Sequence, residues 1–192
     1  TFLNIANFFG IKGNYLTQIY WLEKANLSTA NNLSTGKYKS EVFSGLTSAY
    51  LKLGNMNKAE FYLKQLEPVT KGKKTPRLIY LRLLVDFYSK INSKLRYNIL
   101  DEGIELSKNN KNFNQLSEFY RTKMLTLLID SRFDEAKQYI NLLEDLGKSG
   151  NYFVEKLDLV TTKAVIAGFA GEQDKSDELF TSAEKILLEE GN

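Results

Sequence analysis

The chain has 192 residues, 43% apolar and 26% charged, with 26 lysines and arginines against 23 acids for a net charge of +3. That is long enough to bury a substantial core, and the near-balanced, interspersed charge lacks the basic stripe of a nucleic-acid binder. With neither Cys nor His, disulfides, thiol nucleophiles, Cys/His zinc sites and histidine triads are excluded.

From the N-terminus, Thr1 to Ile11 already follows an amphipathic pattern with little charge, which reads as the start of a piece of a longer protein. No stretch approaches the roughly 20 apolar residues of a membrane span, and no signal peptide is visible. The lack of Cys suits cytoplasm and periplasm alike. Apolar residues recur at three- and four-residue spacing almost throughout, as in Val42, Leu46, Ala49, Tyr50 and Leu53, or Leu78, Leu81, Leu84, Val85 and Tyr88. This is the helical period, and strand-like alternation is nowhere sustained. Pro68 and Pro76 both fall near one junction, so long helices are unobstructed elsewhere. The helix pairs expected are 1–11 with 14–29, 37–53 with 56–69, 76–91 with 94–109, 112–130 with 133–148, and 151–170 with 174–190. The Ser/Thr/Asn-rich stretch from Leu27 to Tyr38 is expected as the longest loop.

The pairs repeat. Phe9, Gly13 and Tyr15 match Tyr50, Gly54 and Met56 in spacing: an aromatic, three residues, Gly, a polar residue, then an apolar one. Tyr88 to Asn92, Leu127 to Ser131 and Ala167 to Gly171 continue the frame. The turn positions Gly13, Gly54, Asn92, Ser131 and Gly171 therefore follow one another at about 40 residues. Gly or Asn past a helix end can take the left-handed conformation that satisfies the last carbonyls. Ala59, Ala136 and Ser176, and later Ala25 and Ala183, are expected where paired helices cross closely.

This frame resembles the tetratricopeptide repeat, shown best by Tyr50, Gly54 and Ala59 and by Phe133 to Ala136. The resemblance covers the whole chain as five units, with a period near 40 against about 34 for the standard unit. It departs from the pattern where Gln18 and Tyr97 stand in the small-residue position. It implies an all-α fold, a right-handed superhelix or α-solenoid of about five antiparallel helical hairpins. One domain, 1–192, is expected, with repeats near 1–36, 37–74, 75–111, 112–150 and 151–192.

Catalytic chemistry has few candidates. Glu102 with Glu105, Glu144 with Asp145, Glu172 with Asp174, Asp177 with Glu178, and Glu189 with Glu190 read as solvated faces. Gly10 and Gly13 are not placed between strand and helix as a phosphate loop requires. The chain reads as no enzyme, with no cofactor and no metal. Lys71, Lys73, Lys74 and Arg77 read as a solvated loop between repeats. Trp21 and the stripe Phe113, Leu116, Phe119 and Tyr120 read as core.

In tetratricopeptide proteins the first helix of each hairpin lines a concave groove that holds peptides. The resemblance carries that role to Asn7, Ser48, Lys52, Arg82, Asp86, Lys90, Arg121 and Leu125, with Leu3, Ser44, Thr161 and Val165 beside them. Lys52, Arg82, Lys90 and Arg121 would meet acidic side chains or a terminal carboxylate. The carboxylate clamp of chaperone-binding members is not implied, because Leu3, Gly45, Ile79 and Leu83 stand where it needs Lys and Asn. The expected partner is a protein or peptide, in a scaffold forming the sensor or interaction part of a larger regulatory protein. The Lys/Asn/Ile/Tyr-rich composition resembles that of AT-rich bacteria. The alternative is an assembly module that self-associates through the N-terminal hairpin, with no peptide ligand.

Overall fold

The computed structural model describes residues 1–30, 36–148 and 156–190. These form ten helices: α1 (Phe2–Ile11), α2 (Tyr15–Ala30), α3 (Gly36–Lys52), α4 (Met56–Thr70), α5 (Lys74–Lys90), α6 (Leu95–Asn109), α7 (Phe113–Ile129), α8 (Phe133–Lys148), α9 (Lys156–Phe169) and α10 (Gln173–Glu190). The helix bounds agree with the sequence periods to within two residues wherever both are described. Residues 151–155, expected in α9, and 31–35 of the expected long loop lie outside the described residues.

All five turn positions have positive φ: 72° at Gly13, 70° at Gly54, 50° at Asn92, 58° at Ser131 and 78° at Gly171. The residue after each donates its N–H to a carbonyl five residues back. Asn14 bonds Phe9 O at 2.9 Å, Asn55 bonds Tyr50 O at 2.9 Å, Ser93 bonds Tyr88 O at 2.9 Å, Arg132 bonds Leu127 O at 2.8 Å and Glu172 bonds Ala167 O at 2.9 Å. This is the Schellman closure of a helix C-terminus. In the first two turns the following Asn caps the next helix, Asn14 Oδ1 accepting from Thr17 N at 3.1 Å and Asn55 Oδ1 from Lys58 N at 3.2 Å. A Gly-Asn pair thus ends one helix and starts its partner.

The chain divides into two compact units, Thr1–Leu106 and Ser107–Asn192. In the first, α1 packs on α2, α2 on α3, α3 on α4 and α4 on α5, and α3 also meets α5 directly. Leu22, Leu46, Leu66, Leu78 and Leu81 fill its core. Trp21 packs at the edge of that core, stacked on Phe2 with ring centroids 5.8 Å apart. Tyr62 stacks on Tyr50 at 5.8 Å and donates its hydroxyl to Glu23 Oε1 at 2.5 Å, tying α4 to α2. Burial, then that hydrogen bond, raises the Tyr62 phenol well above its ordinary range. In the second unit α7 packs on α8, α8 on α9 and α9 on α10, around Leu116, Phe119, Leu127, Ala136 and Ile166.

The small residues expected at helix crossings, Ala25, Ala59, Ala136, Ser176 and Ala183, are all buried. Ser176 Oγ donates to Ala164 O at 2.9 Å, locking α10 onto α9. The departure at Gln18 has a compensation: a Cβ at Gly10 would stand 2.5 Å from Gln18 Nε2. The small residue has moved to the facing helix.

Two expectations are corrected. Residues 27–30 and 36–38 are helical rather than loop, Ser28 spending its hydroxyl on Ala25 O at 2.7 Å within α2. Lys74 and Arg77 belong to the first turns of α5. Arg77 is held by Glu102 of α6 at 2.7 Å and lies 4.8 Å from the Tyr80 ring centroid.

Candidate functional site

Four of the groove candidates share the first unit's contact between α3 and α5. Arg82, Asp86 and Lys90 follow at four-residue intervals on one face of α5, and Lys52 closes α3. All four side chains reach solvent. Asp86 is nevertheless flanked by enough protein that desolvation holds its carboxyl above the usual range, against the opposing pull of Arg82, Lys52 and Lys90. The three cations therefore all act electrostatically on one carboxylate. Ser48, one turn before Lys52, is half-buried, and Asn7 is exposed on α1, whose main contact is with α2. Leu3, expected beside Asn7, is buried in the core.

The remaining two candidates lie in the second unit. Arg121 and Leu125 of α7 line a cavity of about 180 Å³ with Met124, Leu128, Thr161, Thr162 and Val165. Thr161 and Val165 of α9 are the positions expected from the repeat register, so that register brings α7 and α9 to one opening. Its walls are mostly apolar, and Arg121 is half-buried among them.

Four of the five acidic pairs have a member in an ion pair: Glu102 with Arg77 at 2.7 Å, Asp145 with Lys148 at 3.7 Å, Glu172 with Lys175 at 2.9 Å, and Glu189 with Lys185 at 3.9 Å. Among the described residues no group of three or more His, Cys, Asp or Glu side chains could hold a metal. No described helix is long and apolar enough to cross a membrane.

No family model matches the chain, and no curated protein matches it in sequence. Two solved structures resemble it throughout. A Podosopora anserina protein described as kinesin light chain, with nearly identical TPR-like repeats, gives a TM-score of 0.75 at 14% identity over 98% of this chain and 94% of that one. A single-substitution variant of that Podosopora anserina protein gives 0.76 at 14% identity over 99% and 94%. The chain is a TPR-like α-solenoid. In this TPR-like chain Leu3 and Leu83 are buried and a Cβ at Gly45 would press on Leu22 at 3.0 Å. Three positions of the chaperone-type carboxylate clamp are thus given over to packing. The lysines around a second cavity, Lys137, Lys163 and Lys175, went unnoticed in the sequence because they converge from three helices with no shared spacing.

Proposed function

We propose that this TPR-like chain is a non-catalytic scaffold that binds protein or peptide segments through the first helices of its hairpins. The observation that carries the reading is the cavity between α7 and α9, where Arg121, Leu125, Thr161 and Val165 meet. An opening of that size takes one apolar side chain, and an arginine at its wall suits a carboxylate or a backbone carbonyl. The cationic cluster of Lys52, Arg82 and Lys90 around Asp86 supports a second contact, to acidic side chains, in the first unit. Service as the interaction arm of a larger bacterial regulator belongs to the same proposal and rests on composition and resemblance.

The test is affinity capture from source cells with the parent, Arg82→Ala, Arg121→Ala and the double variant, helicity being checked by circular dichroism. A partner held by the parent and lost by the folded variants supports the reading. Equal retention by all four removes these residues from the site.

A second reading, self-association, is favoured by the first hairpin. Phe2, Ile5, Phe8, Ile11, Leu16 and Tyr20 are exposed there, and α1 carries no charged residue.

A further inference from the structure

Helix α9 has cavities on two sides. Thr161, Thr162 and Val165 face the small cavity beside α7. Lys163, Ile166 and Ala167 face a larger one, of about 430 Å³, walled by α8 and α10. At about 100° per residue the two trios occupy separate arcs of the helix. The second cavity is therefore separate from the peptide-binding face proposed above.

Its floor is apolar: Ile140, Ile166 and Ala167 are buried and Leu179 half-buried. Its rim is cationic, with Lys137 from α8, Lys163 from α9 and Lys175 from α10. The volume lies in the range of small-molecule sites, which combine apolar walls with a few placed polar groups. Glu172 shows what the rim recognises. One of its carboxylate oxygens takes Lys137 at 3.2 Å and the other takes Lys175 at 2.9 Å. The two ammoniums are thus already spaced to hold one carboxylate between them, and they hold that of Glu172 below the usual carboxylate range, Lys175 first and Lys137 second. Lys163 pairs with Glu144 outside the lining. Three ammoniums against these two carboxylates leave one positive charge in excess beside an apolar floor.

We propose that the cavity between α8, α9 and α10 binds a small amphipathic carboxylate, its apolar body on Ile140, Ile166, Ala167 and Leu179 and its carboxylate between Lys137 and Lys175. Glu172 occupies the same ammoniums when the site is empty and competes with the ligand.

Octanoate is the probe, with octylamine as the opposite-charge control, titrated into the full chain and followed by amide NMR shifts. Octanoate should give saturable shifts centred on Ile166, Ala167 and Leu179, and octylamine should not. Lys137→Gln with Lys175→Gln should weaken binding roughly tenfold, while Lys185→Gln, on an outer ion pair with Glu189, leaves it unchanged. Glu172→Gln should tighten binding roughly two- to fivefold by removing the competitor; a merely structural salt bridge predicts no such gain. Equal shifts from octylamine, shifts centred on Arg121 and Leu125, an absence of saturation, or unchanged or weaker binding by Glu172→Gln would each overturn the proposal.

Discussion

Gly54 and Ser131 make the same left-handed turn, at φ 70° and 58°, with different side chains. A Cβ at Gly54 would meet nothing within 4 Å, so Gly54→Ala tests conformation alone and should destabilise by about 1 kcal/mol in urea unfolding. Ser131 bears that strain already. Relief of it outweighs the greater freedom glycine gives the unfolded chain, so Ser131→Gly should stabilise by up to about 1 kcal/mol. A loss of stability in Ser131→Gly would show that something other than φ fixes serine there. These turns were legible in the sequence because left-handed backbone selects Gly and Asn, and Ser131 was found by register. Lys111, at φ 52° with the same closure of Asn112 onto Ser107 O at 2.9 Å, was missed. A lysine there announces no turn.

At the scale of the helix, apolar period and scarce proline were enough to place the elements, whereas local composition misjudged their ends. Ser28 belongs to α2 because its hydroxyl folds back on the helix, and Arg77 belongs to α5, where Glu102 and Tyr80 anchor it. The Glu102 contact comes from outside the local segment, where composition cannot register it. Helix α5 also carries a group that works against the fold. Asp86 has its carboxyl raised above 3.8 by desolvation despite three nearby cations, so its ionisation is easier in the unfolded chain. The resulting penalty is absent below pH 3.8, grows as pH rises through the folded value, and is full above it. Asp86→Asn should therefore be at least as stable as the parent at neutral pH, the two converging in acid. Melting temperatures by circular dichroism from about pH 3 to pH 7 check this. A variant that melts below the parent at neutral pH would mean the cations stabilise Asp86 more than desolvation opposes it.

For the molecule as a whole, the sequence showed how many hairpins there are and how each turns, because those features repeat. It could not show which surfaces are left uncovered, since an apolar helix reads the same whether neighbours cover one side or two. Helix α1 is the case in point: Leu3 and Ala6 are buried, yet Phe8 and Ile11 are 56% and 86% exposed. Helix α10 also exposes Phe180, Leu187 and Leu188, but among Lys175, Glu178, Glu184, Lys185 and Glu189. The first hairpin joins a broad apolar face to a helix without charge, bordered by Lys12 over the Phe8 ring at 6.0 Å and Lys24 over the Tyr20 ring at 5.6 Å. Sedimentation velocity should accordingly show the parent shifting from monomer to dimer as concentration rises. The shift should survive added salt, because association is apolar and salt screens only the repulsion between lysines such as Lys12 and Lys24. Phe8→Ser with Ile11→Ser removes two side chains that the core does not use, so the variant should keep its helicity and remain monomeric. A parent that stays monomeric at every concentration, or a dimer that salt disperses, would leave this face without a role in self-association and return the weight to peptide binding.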